Sequence, residues 1–291
     1  MKNSRKIVFL GIQYIDYLVY PIKEKFNLNT SIPSNIQRQD GSIIGLSKSI
    51  EKYDPKLFKE SLFIPIVGKD LLLENDCSEN INPIIVKDFD TSSAILINDF
   101  EKGKACSFVD TALNYVENLS SLVSDKFCEI KTYLETIHLM YADNMKIDDL
   151  FIKELKKFKA ISIDFCRSNA TEVFDDTRLY YSLKKLIYNS KYIFLSDHED
   201  KRYIDLVLRN KTDNSIFIFH KPEQIKLYFE KSEYVIENQF FDKTIKSEVG
   251  LGDLFSSLFL DQISKVNKLE IKNLSGIILD IQKKMLHILS N

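Results

Sequence analysis

Between residues 136 and 219 short apolar runs alternate with amphipathic stripes. No other feature of the chain restricts its fold as strongly. The runs are Thr136–Tyr141, Ala160–Phe165, Tyr192–Leu195 and Ile216–Phe219. Each has the length and composition of a strand buried on both faces. Between the first two, Asp148–Lys157 and the residue just after it place Leu150, Phe151, Leu155 and Phe158 at helical spacing, and Thr177–Tyr188 reads as a further helix. Strands that alternate with helices in this way pair in one sheet through helical crossovers, so the sheet is mainly parallel and helices cover both its faces. Lys6–Leu10 and Leu62–Val67 read as earlier strands of the same kind, Ile225–Phe229 and Tyr234–Ile236 as later ones, and Ile271–Leu289 as a packing helix. The expectation is a three-layer α/β/α architecture formed by one domain over residues 1–291.

Composition excludes several classes of function. The chain has 44% hydrophobic and 28% charged residues, which suits a globular protein with a substantial core. Its net charge of −2, with no long basic block, argues against nucleic acid as a partner. The basic N-terminus is followed only by the apolar run Ile7–Leu10 before Gly11, too short for a signal peptide or a membrane span. The four cysteines form no Cys-x-x-Cys pair, and a reducing cytoplasmic compartment is the simplest reading. The four histidines share no metal-ligand spacing, so no directly bound metal is expected.

Chemistry concentrates in Ser247–Phe259. Two of the chain's eight glycines, Gly250 and Gly252, flank Leu251, and Asp253 follows directly. Leu254, Phe255, Leu258 and Phe259 then repeat at helical spacing. This pattern predicts a tight turn that feeds a buried helix, whose free amides can hold an anion. A carboxylate beside an anion site can serve as a general base. The plainer alternative is an Asp in a helix first turn, favoured there by the dipole alone. Near the other end of the chain, Asp16 lies just past the first strand, close to the edge where parallel sheets bind ligands. On its own it reads equally well as a turn cap.

Gly250-Leu251-Gly252-Asp253, followed by Leu-Phe-x-x-x-Phe, resembles the C-terminal signature of the ribokinase-like (PfkB) carbohydrate kinase family, commonly Asp-Thr-x-Gly-Ala-Gly-Asp-x-Phe. The spacing from Gly11 to Asp16 is similar to that family's first substrate-binding motif. Asp40-Gly41-Ser42-Ile43-Ile44-Gly45 resembles its Gly-Gly-x-x-x-Asn stretch, with only Gly41 kept. Asp164 and Arg167 resemble parts of its Asp-x-Asn-x-Arg, and Ser196-Asp197-His198-Glu199 is similar to its Asn-x-x-Glu. The departures are as clear as the matches. Ser247-Glu248 stand where the family has Asp-Thr, and His220-Lys221-Pro222-Glu223 replace a glycine loop near the nucleotide phosphates.

The resemblance implies phosphoryl transfer from ATP to a hydroxyl of a sugar-like small molecule. It implies Asp253 as base, the amides of Gly250, Leu251 and Gly252 as anion hole, and Asp16 and Gly41 as sugar contacts. Glu199 would act on Mg2+ indirectly, through water. It also implies a small β-lid from about residues 17–40 and 90–110, with Glu101-Lys102-Gly103-Lys104 as a hairpin turn. An apolar lid face needs cover from substrate or from a second subunit, which suggests a homodimer through the lid. The lost glycine loop keeps a second reading open: a catalytically silent relative that binds a small molecule or a protein.

Overall fold

The apolar runs pair side by side in one sheet. The computed structural model describes residues 7–21, 34–71, 78–99, 104–109, 119–130, 135–142, 145, 147–165, 174–197, 201–221, 223–239 and 251–289. Strand β1 (Ile7–Ile12) lies between β4 (Ser61–Gly68) and β8 (Thr136–Tyr141), parallel to both. Beyond β8 come β9 (Ala160–Phe165), β10 (Tyr192–Ser196) and β11 (Ile216–His220), all parallel. Beyond β4 lies β5 (Ile84–Val86), also parallel. Two antiparallel strands, β12 (Gln224–Phe229) and β13 (Ser232–Glu237), complete a nine-stranded sheet. Every residue of β1 and β4 is buried, as expected for strands covered on both faces. β12 instead alternates buried and half-buried residues, because only one of its faces is covered.

Alternate residues of the parallel strands feed two cores. Val8, Leu10, Leu139, Ile163 and Leu195 face one side. There they meet α3 (Leu119–Glu129), α4 (Asp149–Leu155), α5 (Thr177–Asn189) and α6 (Arg202–Asn210). Ile7, Phe9, Phe63, Met140 and Phe194 face the other side. They meet α1 (Ser42–Tyr53), α2 (Pro55–Lys59), α7 (Leu251–Ile263) and α8 (Ile271–Leu289). The helix predicted over 148–157 forms as α4, but Leu150 is exposed. It falls just off the stripe of Phe151, Ile152 and Leu155 that faces the sheet. None of the described helices is long and apolar enough to cross a membrane.

A second, four-stranded sheet stands apart from the first, in the order β3-β2-β6-β7. It consists of β2 (Tyr14–Pro21), β3 (Ser34–Asp40), β6 (Ser92–Asp99) and β7 (Lys104–Val109). This is the lid, and its expected start shifts. Only Gln13 separates β1 from β2, so the lid begins at Tyr14 and Asp16 belongs to a strand rather than a loop. Ile84–Val86 joins the main sheet, paired with Ile66–Gly68. The predicted hairpin joins β6 to β7 with Asp99 opposite Lys104, and its turn at 101–103 lies outside the described residues. The two faces of the lid differ. Asp16 pairs across strands with Ala94, and both are buried. Tyr17 and Val19 point the other way, opposite Ile95 and Ile36, which are 44% and 60% exposed.

One polar residue sits in the centre of the second core. His138, on β8, is fully buried among Phe9 and Phe194, whose rings meet it edge-on at 5.5 and 6.0 Å. Its Nδ1 lies 2.9 Å from the Ser162 hydroxyl, and its Nε2 lies 3.5 Å from that of Ser256 on α7. Burial pushes the imidazole down to about 3, so the ring is neutral in the folded protein. The unfolded chain takes up a proton near the ordinary histidine value of about 6.5 and the folded chain does not, so this residue makes stability fall as pH drops below that value. Between pH 7 and pH 5 the loss from this one site is about 2 kcal/mol. His138→Phe should therefore show a shallower decline than the parent in urea unfolding over that range, though it starts lower at pH 7 because Ser162 loses its partner. Parallel declines would place the acid sensitivity elsewhere.

Candidate active site

The two sequence motifs meet the sheet at the same edge and on the same face. The first is built around Gln13, which is fully buried between β1 and β2. Its backbone N–H donates to Ile66 O at 2.9 Å and so continues the pairing with β4. Its side-chain Nε2 donates to the carbonyls of Tyr14 and Gly41, at 2.6 and 2.8 Å. Its Oε1 accepts the N–H of Ile44 at 2.9 Å. Ile44 is the third residue of α1, and Gly41, the cap residue, has no side chain to accept that N–H. Gln13 therefore caps α1 from a distant part of the chain, in the role usually held by a Ser or Asp at the cap itself.

This arrangement brings Asp16 against Gly41. A Cβ on Gly41 would stand 2.3 Å from Asp16 Oδ2 and 2.8 Å from Oδ1. The carboxylate thus lies directly over the Gly41 Cα, at the start of α1, where a helix favours negative charge. The next residue, Ser42, has φ 47°, in the left-handed region. A non-glycine residue there costs roughly 1 kcal/mol. Gly41 thus leaves no room for a Cβ, and the backbone at 42 is one that favours glycine. Asp40 instead ion-pairs with Lys48 at 2.5 Å.

The second motif opens α7. The helix begins at Leu251, with Gly252 and Asp253 in its first turn and all three half-buried. Amides of a first turn have no partner within the helix, so they are the donors an anion would meet. The Asp253 carbonyl accepts the hydroxyls of Ser256 and Ser257, at 3.0 and 2.7 Å. Gly252 lies against His220, the last residue of β11: a Cβ there would stand 3.1 Å from the ring's Cε1. That contact fixes the start of α7 at the carboxyl end of the parallel strands. Gly41 N donates to Tyr14 O at 3.0 Å, just past β1, which fixes the start of α1 at the same end. Both helices pack on the same core, α1 through Ile43 and Leu46 and α7 through Leu254 and Phe255. Asp16, Gly41, Leu251, Gly252 and Asp253 thus share one edge and one face. Gly250 and Glu199 lie outside the described residues.

No protein-family model and no curated protein matches this chain. Solved structures do. A microbiome-derived acarbose kinase superimposes with a TM-score of 0.68, 13% identity and coverage of 98% of this chain and 91% of its own. Ribokinase from Giardia lamblia gives 0.66 and 14%, covering 99% of this chain and 91% of its own. Phosphofructokinase-2 from Escherichia coli, in complex with fructose-6-phosphate, gives 0.65 and 11%, covering 99% of this chain and all of its own. The chain has the ribokinase-like fold. A nucleoside kinase from Burkholderia thailandensis, in complex with inosine, also superimposes, with a TM-score of 0.65 and 12% identity, covering 95% of this chain and 89% of its own.

Gln13 and His220 are the residues that sequence reasoning did not single out for this edge. Gln13 gave one signal, a polar side chain between two largely apolar stretches, and such a group when buried must find partners. His220 gave only its place at the end of a strand, as the first residue of the segment that replaces the family's glycine loop. Asp164, at the end of β9, is buried at 4% exposure and shares the strand face of Ser162, toward α7.

The Asp16–Gly41 contact makes a prediction. Gly41→Ala forces the carboxylate aside and should lower stability by about 1–3 kcal/mol. Ser42→Gly relieves the backbone and should leave stability at or slightly above the parent's. Urea unfolding of the two variants gives the comparison, and the reverse order would contradict the geometry described.

Proposed function

We propose that this protein transfers a phosphoryl group from ATP to a hydroxyl of a sugar or sugar-like small molecule, as a divergent member of the ribokinase-like (PfkB) carbohydrate kinases. One observation carries the reading: two glycine-bearing helix starts, each with its own carboxylate, lie at one sheet edge on one face. The first, Asp16 over Gly41, suits the hydroxyls of a sugar, because an ionised carboxylate accepts several hydrogen bonds at once. The second, Asp253 at the start of α7, suits the reacting centre. Its carboxylate takes the proton of the attacking hydroxyl while that oxygen bonds to the γ-phosphorus and the bond to the ADP oxygen breaks. The amides of Gly250, Leu251 and Gly252 stabilise the charge that develops on the phosphoryl oxygens. Glu199, outside the described residues, would hold Mg2+ through water, and that cation would neutralise charge on the phosphates; the compartment proposed is the cytoplasm.

A specific observation favours a second reading. The turn after β11 is closed by Lys221 N donating to Gln224 O at 2.9 Å, with His220 already paired to Ile225. A silent binder has no need of an open phosphate loop there. Asp253→Asn separates the two readings, since the side chains match in size and both suit a helix start. For a kinase, turnover falls roughly a hundred- to ten-thousand-fold while sugar binding persists. A parent that consumes no ATP across a panel of sugars and nucleosides supports the silent binder. Equal turnover in parent and variant removes Asp253 from the chemistry.

The outer face of the lid suits a second copy of the chain. Ile36 and Ile95, together with Tyr17 and Val19, present apolar surface on a sheet whose opposite face already holds Asp16. Sedimentation at high protein concentration should show a dimer that Ile36→Lys disrupts. A clean monomer would exclude pairing through the lid.

A further inference from the structure

The proposed kinase leaves one question open: what meets the nucleotide phosphates where a glycine loop is missing. The backbone of the β11–β12 turn is poorly placed to do it. Lys221 N–H is consumed by Gln224 O within the turn, and Pro222 has no N–H to offer. The carbonyl of Glu223 is likewise taken, by Asn238 N at 2.8 Å. The short turn is therefore hydrogen-bonded to itself and to β13.

A side chain occupies the place instead. His220 ends β11, and its carbonyl accepts Asp197 N at 3.2 Å, which ties the ends of β10 and β11 together. Its ring passes over the first turn of α7. The site where a Gly252 Cβ would stand is 3.1 Å from Cε1 and 3.7 Å from Nε2. Phe255, one turn further on, packs against the ring at 5.8 Å between centroids. The imidazole is therefore held between helix and strand with its Cε1–Nε2 edge beside the glycine, and it is only half-buried. The glycine is what admits it, because any side chain at 252 would compete for the same space.

We propose that His220 is a phosphate-binding residue of this site, its imidazole N–H replacing the backbone donors of the missing loop. This rests on the kinase reading for the identity of the ligand, a nucleoside triphosphate. An imidazole carries one donor on each protonated nitrogen and, when charged, pairs with a phosphate oxygen more strongly than a neutral amide does.

The test compares two ligands, a non-hydrolysable ATP analogue and adenosine, by calorimetry on the full chain and on two variants. In His220→Ala, affinity for the analogue should fall roughly ten- to a hundredfold, the effect of losing a hydrogen bond to a charged group. Adenosine affinity should stay unchanged. His220→Gln, which keeps an N–H donor, should recover part of the loss. Equal losses for both ligands would mean that the ring only supports the fold, and no loss would mean that it touches no phosphate. Either result, or a parent that fails to bind the analogue, overturns the proposal. Turnover measured on the same samples tells the two readings apart. A parent that binds the analogue with the expected split but phosphorylates nothing sinks the kinase reading and leaves the role of His220 standing. An active parent whose turnover and nucleotide affinity survive His220→Ala does the reverse.

Discussion

The first helix start of the candidate site hangs on the side-chain amide of Gln13. Three pieces of chain converge there: the end of β1, the first residue of the lid and the start of α1. The carbonyls of Tyr14 and Gly41 also accept the N–H of Gly41 and Gly45, at 3.0 and 3.2 Å, whereas Gln13 is the observed partner of the Ile44 N–H, which left bare would cost about 1–3 kcal/mol. A backbone turn could not do the same, because the groups come from positions 28 and 31 residues apart in sequence. With the amide in place, Asp16 has nowhere to lie but over Gly41, and the turn into α1 accepts a left-handed serine.

The second helix start depends on packing rather than on polar pairing. α7 is buried along most of its length, and Phe255 and Phe259 meet Phe194 of β10 edge-on at 6.5 and 5.6 Å. Each large ring buried this way is worth roughly 1.5–3 kcal/mol, so the helix axis is set by the core and its first turn is delivered to the sheet edge. The two halves of the site thus have different structural origins. One is held by a single amide, the other by a slab of aromatic side chains.

The parts of the fold legible in the sequence are those set by burial alone. The strands β1, β4 and β8–β11 stand out as apolar runs because both their faces are covered, and α8 stands out because its stripe repeats over many turns. α3 and α6 carry weaker signals: Ser120 and Ser124 dilute the pattern of one, and the other is short. Within the site, Asp16, Gly41, Gly252 and Asp253 were legible because glycine and carboxylate beside a helix start are unusual neighbours. Gln13 and His220 were not, since what each does depends on groups far away in sequence. The strained backbone at the start of α1 was hidden for a related reason. Ser42 takes a backbone conformation that favours glycine, and nothing in its identity announces it.

The closed turn after β11 carries a thermodynamic consequence. A flexible glycine loop must be ordered each time it grips a ligand, and fixing one residue's backbone costs on the order of 1–2 kcal/mol. Here the strand ladder and the Lys221–Gln224 bond already hold the residues on either side of position 222. Association at this corner therefore draws on no backbone entropy, and slow loop rearrangement drops out of its kinetics. The same rigidity removes adaptability: a hairpin cannot reshape itself around ligands of different length. A ligand that met this corner would be selected by fit, where a glycine loop would select by accommodation.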